Sequence, residues 1–499
     1  MSPYIRTVKT ASGATAVQIV HSTRRGSRNI EHLGSAHTAA DVELLKAAAK
    51  QRLHAHQDPL DFGDGRPAPT HLPILSTQSA HLWEALSRGY QVVGLDAACG
   101  HDEVFHGLVL ARLIEPTSKL DSIRVIEEVG FAAPSYPTIK RRLATYATPA
   151  WRSQLAGACA AHVGLGPATL VLYDVTTLYF ETDEGDGFRE PGFSKERRLE
   201  PQITVGLLTD ARGFPLQVGA FEGNKAETKT ILPVVTAFQA AHGLPDVTVV
   251  ADAGMLSEAN LKELEDAGLH FIVGARIPEV PYAVSKWQRD HPGEPLPNGH
   301  IFTQPLIQGV KADLRTRTVF YQYSHDRGRR TLKGIDAQVA KAEKAVAGQT
   351  TVKRNRFVLL TGAKKSVNRD LEAKARALAG LKGYVTNLES PTSAFVLGAY
   401  HQLWQVEKSF RMSKSDLRAR PIYHHKRESI EAHLNVVFAA LAVARWLETT
   451  TGWSTRKLVK ALRRYRTVQI KAGNETVTAE DPLPDDIRAV LDAIYDRTN

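Results

Sequence analysis

Three carboxylates stand at positions where a carboxylate is costly unless something uses it. Asp174 interrupts an apolar run, with Leu170-Val171-Leu172-Tyr173 before it and Val175-Thr176-Thr177-Leu178 after it. A lone Asp in so β-rich a run is destabilising unless it is paired, hydrogen-bonded or bound to a cation. Asp252 ends a comparable run, Val247-Thr248-Val249-Val250-Ala251-Asp252. The carboxyl end of a strand beside a crossover helix is where open α/β sheets place ligands. With Gly254 two residues on, Asp252 also reads as a plain turn or helix cap. Glu407 lies in a late helical stretch, where Tyr400, Glu407 and Lys414 fall within about 40° of one another at 3.6 residues per turn. Taken alone, Glu407 reads equally as the solvent edge of an amphipathic helix. Three carboxylates brought to one point repel one another and are hard to keep ionised without cations. Such hard oxygen ligands suit Mg²⁺ or Mn²⁺. Two such ions about 3.5–4 Å apart can activate a water or hydroxyl and stabilise the leaving oxygen of a phosphodiester.

The surrounding elements decide whether the three can meet. Thr169 to Phe180 is dense in β-branched and aromatic residues and reads as a strand. Gln202 to Leu208 and Pro215 to Phe221 flank the turn Thr209-Asp210-Ala211-Arg212-Gly213, a hairpin pattern. Glu227 to Ala241 carries Ile231, Val234, Val235 and Phe238 at helical spacing. Val247 to Ala251 is a short strand; Ser257 caps a helix ending at Gly268; Leu269 to Val273 is a further strand. The order β-β-β-α-β-α-β is that of an RNase H-like mixed sheet lacking its last helix. Residues 276–392 read as an insertion, after which the missing helix arrives at Ser393 to Met412, followed by an apolar helix from Ile430 to Leu447. In this layout the first strand, the fourth strand and the final helix converge, which suggests phosphoryl transfer on a nucleic acid.

A chain of 499 residues exceeds one compact core, so two to four domains are expected. A 43% hydrophobic content argues against wholesale disorder. The formal charge of +10 favours a polyanionic partner. Cys99 and Cys159 have no paired spacing and read as buried small hydrophobes. The N-terminus has no apolar h-region, and the longest apolar stretch, Leu434 to Leu447, is short for a bilayer span. No membrane role and a cytoplasmic, nucleoid-associated location are expected. The expected divisions are a hairpin and helix over 1–56, a linker or loop over 57–75, and a largely helical region over 76–165. The core's first part over 166–275, the insertion, the core's final helices over 393–450 and a helical tail over 451–499 follow. Within the helical region, Ser118 to Val129, the stop at Gly130 and Tyr136 to Tyr146 form a helix-turn-helix pattern. Its second helix carries Lys140, Arg141 and Arg142, suited to a major groove or to an ordinary solvated face.

At this point the chain resembles a known family, the insertion-sequence DDE transposases, in the IS-four-type group with a Tyr-x2-Arg-x3-Glu-x6-Lys signature. Tyr400, Glu407 and Lys414 stand at that spacing, while Leu403 occupies the place of the Arg. Tyr173-Asp174-Val175-Thr176-Thr177 and Val249-Val250-Ala251-Asp252-Ala253-Gly254-Met255 resemble the family's two aspartate strands. Gly223-Asn224 and Arg420-Pro421-Ile422-Tyr423-His424 add to the likeness, which covers roughly 168–447. The resemblance implies Asp174, Asp252 and Glu407 as ligands of Mg²⁺ or Mn²⁺ and Tyr400 and Lys414 as contacts to DNA phosphates. His401, Lys408 and Arg411 are substitutes for the missing Arg. It also implies cleavage at the ends of a mobile element, joining to target DNA, double-stranded DNA as partner and a homodimer in the synaptic complex. Two rivals remain open: a nuclease of the same fold without strand transfer, and a domesticated relative that only binds DNA. Arg327-Gly328-Arg329-Arg330, Lys353-Arg354 and Arg456 to Arg466 could follow a DNA backbone, and Trp404 reads as a core residue.

Overall fold

The computed structural model describes all residues except 1–2, 23–27, 55–71, 167, 183, 193–199, 254–256, 310–313, 352–354, 362–363, 420–421, 423, 473–474 and 497–499. Most of the expected linker over 57–75, and the pair Lys353-Arg354, lie outside the described residues. The chain divides into two compact units: Met1–Gln91, Glu103–Lys140 and Trp446–Asn499 in one, Val92–Asp102 and Arg141–Arg445 in the other.

The smaller unit opens with β1 (Tyr4–Lys9), β2 (Thr15–Ser22) and β3 (Arg28–Ala36), a three-stranded antiparallel sheet. Val17 and Ile19, alternate residues of β2, pack against Ala49 of α1 (Ala39–His54). In chain order come β4 (Ile74–Gln78) and the helices α2 (Ala80–Val92), α3 (Leu95–Ala98), α4 (Glu103–Ile114), α5 (Ser122–Glu128), α6 (Tyr136–Tyr146) and α7 (Pro149–Val163), of which α3, α7 and the second half of α6 belong to the larger unit.

The larger unit is built on one sheet. Its first strands are β5 (Ala168–Tyr179), β6 (Gln202–Asp210) and β7 (Pro215–Glu222), joined antiparallel. After α8 (Ile231–His242) comes β8 (Asp246–Ala251), and after α9 (Glu258–Asp266) comes β9 (His270–Ala275). β8 lies parallel to β5, and β9 parallel to β8. Ser257 caps α9 in a capping box with Asn260. The residues expected to form an insertion give α10 (Tyr282–Asp290), β10 (Ile301–Gln308), β11 (Arg315–Tyr323), α11 (His325–Val346), β12 (Val358–Thr361), β13 (Lys364–Val367), α12 (Arg369–Ala377) and β14 (Leu381–Thr386). Three of these strands continue the main sheet, whose order is β10-β11-β14-β9-β8-β5-β6-β7. Pairing with β14 covers the edge of β9 that would otherwise expose unpaired backbone groups. Asn387 fastens the junction, accepting from the Phe271 amide at 2.9 Å and donating to the Leu269 carbonyl at 3.0 Å.

Strand alternation gives this sheet two faces. Val171, Tyr173, Val175, Val249, Ala251, Phe271, Val273, Leu381 and Val385 point to a core shared with Val234, Phe238, Leu261 and Leu264 of α8 and α9. The other face carries α13 (Ser393–His401) over β8, β9 and β14, and α14 (Leu403–Arg411) over β5 and β6. The single helix expected from Ser393 to Met412 is thus two helices broken at Gln402, followed by a π-helical turn, Met412–Asp416. A π turn accommodates extra residues, so Lys414 leaves the strict 3.6-residue spacing to Glu407. Next comes α15 (Arg427–Thr451), long and apolar enough by length and composition to cross a bilayer, but with its apolar window buried within the fold. The expected helical tail also differs: α16 (Thr455–Leu462) precedes a hairpin, β15 (Thr467–Ala472) and β16 (Glu475–Glu480), and then α17 (Asp485–Tyr495). β15 pairs with β4 in the smaller unit, so its alternating Thr, Val and Ile residues complete a sheet begun about 390 positions earlier, as Thr467↔Gln78 shows.

Candidate active site

Strand register brings the two aspartates together. β5 and β8 pair in parallel as far as Leu172↔Val250. Two residues further in that register, Asp174 lies opposite Asp252. β8 and β9 pair to Ala251↔Val273, so Asp252 lies opposite Gly274, and Gly274 pairs with Tyr384 of β14. Asp174, Asp252, Gly274 and Tyr384 therefore form one transverse row, about 4.8 Å per strand. Because Tyr173, Val175 and Ala251 point to the α8–α9 core, alternation sends Asp174 and Asp252 to the face under α13 and α14.

α13 touches that row directly. The Tyr400 hydroxyl donates to Asp252 Oδ1 at 2.7 Å, and the Ala253 amide donates to the same oxygen at 2.8 Å. Gly274 makes the contact possible: a Cβ there would stand 2.8 Å from the Tyr400 hydroxyl and 2.9 Å from the Ala253 Cβ. The Tyr384 ring meets the Tyr400 ring edge-on at 4.9 Å. Burial, then the bond to Asp252, pushes the Tyr400 hydroxyl well above the usual tyrosine range, so it stays a donor. Asp174 is half-buried, and one of its oxygens accepts from the Val175 amide at 2.8 Å.

Glu407 is carried by a different element, α14, which packs over β5 and β6. Val406, Ser409 and Phe410 are buried, which leaves Glu407 exposed on α14. The β6–β7 turn holds that helix in place. Ser409 Oγ donates to the Gly213 carbonyl at 2.7 Å. Gly213 has φ 81°, and a Cβ there would stand 2.8 Å from the Gln405 carbonyl oxygen, so the close approach needs glycine. Arg445 Nη2 donates both to Gln405 Oε1 at 3.1 Å and to the Arg212 carbonyl.

The two aspartates thus lie together, while Glu407 is exposed on a helix that packs over β5 and β6, and the three do not form a closed cage. Among the described residues, no three His, Cys, Asp or Glu side chains are gathered closely enough to hold a metal ion. The donor set, all carboxylate oxygen, is the kind hard divalent cations take. Asp252 and Glu407 are exposed side chains, Asp252 held through Oδ1 by Tyr400 and Ala253.

The remaining predicted residues are placed as follows. Lys414 is half-buried and lines an apolar cavity with Thr176, Phe410 and Phe438. Lys408 is half-buried, Arg411 and His401 are exposed, and Leu403 is half-buried. Trp404, expected in the core, is 56% exposed, one helical turn before Glu407. Lys140, Arg141 and Arg142 are exposed on α6, with Arg142 3.5 Å from Asp102. Gly223 is required by packing, since a Cβ there would stand 1.9 Å from the Gln202 carbonyl. Gly254-Met255, Arg420-Pro421 and Tyr423 lie outside the described residues.

Sequence reasoning missed Lys382 of β14. Its Nζ lies 4.4 Å from the Tyr400 ring centroid and 5.6 Å from that of Tyr384. Burial lowers its pKa, the charge of Arg327 adding to this and that of Asp252 opposing it. Only the pairing of β14 with β9 could have revealed it, and that pairing has no local sequence signal.

A cryo-EM structure of the piggyBac transposase synaptic complex with hairpin DNA matches 84% of this chain and 75% of its own, at 10% identity and TM-score 0.36. That likeness is too loose for any residue-by-residue correspondence. No curated protein sequence matches the chain. The family profile described as a transposase DDE domain matches residues 165–443, more than half of the 499 and including every residue of the row and of α13–α14. The chain belongs to the transposase DDE domain family.

Proposed function

We propose that this protein is a DNA transposase of the IS-four-type insertion-sequence group, with an RNase H-like core in which Asp174, Asp252 and Glu407 hold Mg²⁺ or Mn²⁺. The observation that supports this reading is the register of β5 and β8, which carries Asp174 and Asp252 toward one another at the carboxyl ends of neighbouring strands. Bound there, a pair of divalent ions would supply a nucleophile at neutral pH and neutralise charge on the leaving oxygen. The chain's own residues do the rest. Tyr400 holds one oxygen of Asp252 and leaves the other for a cation. Lys408 and Arg411 place positive charge on the helix that carries Glu407, and Lys414 adds to it from the π turn that follows. In the first step a water oxygen bonds to phosphorus at the element's end and the bond from phosphorus to the 3′ oxygen breaks. In the second, the freed 3′-hydroxyl attacks a phosphorus of target DNA and displaces the target's 3′ oxygen. The exposed Lys140, Arg141 and Arg142 of α6 would bind the ends, and two copies would act together at synapsis.

The test measures Mg²⁺-dependent nicking of supercoiled plasmid and DNA binding side by side for wild type and Asp252→Asn. Nicking should fall more than roughly 100-fold, beyond the loss typical of a group that merely supports a metal ligand, with binding retained. Unchanged nicking would remove Asp252 from the site. Strand-transfer products with a supplied end sequence would distinguish a transposase from a simple nuclease.

A further inference from the structure

The corner where β14 meets α11 holds two cations with no carboxylate of their own. Arg327, half-buried near the start of α11, donates to the carbonyls of Gln322 and Gly380 at 3.3 Å each. These bonds fix its guanidinium beside Lys382. Among the described residues, neither Arg327 nor Lys382 forms an ion pair within 4 Å. His401 lies on the same side, its ring edge-on to Tyr384 at 6.3 Å between centroids. Among the described residues, the acidic group that acts on Lys382 is Asp252, whose Oδ1 is already engaged by Tyr400 and Ala253. Half-buried positive charges without a counter-charge in contact are costly, and an arriving anion relieves that cost.

Register locates the anion. Gly383 pairs with Ala275, so Lys382 lies past the carboxyl end of β9, at the sheet edge where β8 delivers Asp252. Its ammonium is seated on the Tyr400 ring, which turns its hydroxyl toward Asp252. An anion at Lys382 is therefore one aromatic ring away from the catalytic row, without entering it.

We propose that Lys382, with Arg327 behind it, binds a backbone phosphate of DNA adjacent to the phosphate being cut. This rests on the transposase reading above. It supplies, from a strand of the sheet, the positive charge that Leu403 does not supply from α14. An ammonium meets a phosphodiester as a point charge, which suits a strand sliding into register.

The probe is a fluorescein-labelled DNA duplex of arbitrary sequence, titrated in Ca²⁺ over a series of KCl concentrations. Lys382→Met and Lys382→Gln should each lower the slope of log affinity against log salt by about 0.9, one phosphate contact. Lys382→Arg should restore it. Wild-type slopes in both neutral variants would overturn the proposal. In the unmutated protein, duplex should shield Lys382 from an amine-acylating reagent, read by mass spectrometry; equal labelling with and without duplex would overturn it too. The two readings fail separately. A wild type that binds but does not nick in Mg²⁺ sinks the transposase reading, whereas neutral variants that nick and keep the full slope sink only the phosphate site.

Discussion

The two aspartates and the glutamate are held by different kinds of structure. Asp174 lies in β5 and Asp252 directly follows the parallel strand β8, so both are carried by backbone pairing that no single side chain controls. Glu407 rides on a short helix set between a break at Gln402 and a π turn at Met412, anchored through Ser409, Gln405 and Arg445 to the β6–β7 turn. A ladder shares its strain over many bonds, whereas a tethered helix depends on a few. Substitutions near the aspartates should therefore act through local geometry, and those near Glu407 through the position of a whole helix.

The largest effect short of removing a carboxylate is expected at Gly274. Gly274→Ala must displace the Tyr400 hydroxyl or the Ala253 segment, at a cost of about 1–3 kcal/mol in stability. Nicking should fall further than the stability loss explains, because the bond to Asp252 is lost with the displacement. Equal melting temperature and equal nicking would show that the row tolerates a Cβ. Ser409→Ala comes next. It leaves the Gly213 carbonyl without that donor, at about 1 kcal/mol. If α14 is tethered as described, nicking drops while duplex affinity holds; a variant that loses stability but no activity would mean that packing alone places Glu407. The smallest effect is expected for Tyr400→Phe, a threefold to tenfold loss of nicking, on the order of one hydrogen bond. Its pH dependence has a definite sign. The folded Tyr400 hydroxyl titrates above the ordinary value near 10, so its contribution is complete below about pH 10 and declines as pH rises through the folded value. Wild type should thus lose stability above pH 10 more steeply than Tyr400→Phe in chemical denaturation. Identical alkaline slopes would contradict the burial of that hydroxyl.

This contrast also explains what could be read from the residues in order. β5 and β8 were legible because β-branched residues crowd around a single Asp, and a buried strand demands that pattern. The capping Ser257 and the terminating Gly268 likewise carry their signals locally. The break at Gln402 was not legible, since Leu403, Trp404 and Gln405 are acceptable helix formers. Trp404, just past that break, is exposed although its size and apolar ring suggested the core. The place of β14 beside β9 was hidden for another reason. Partner choice between strands more than a hundred residues apart depends on which sheet edge is open, and β9 offers one. Lys382 enters the site only through that pairing.

Glu407 is the member of the proposed triad whose place depends most on tertiary anchoring, so it tests the central claim most directly. The measurement is Mg²⁺-dependent nicking by Glu407→Gln, with duplex affinity and melting temperature recorded on the same preparation. A fall of more than roughly 100-fold, with binding and stability unchanged, is the predicted result. Nicking at the wild-type rate would contradict the three-carboxylate site, leaving the aspartate pair without its third member.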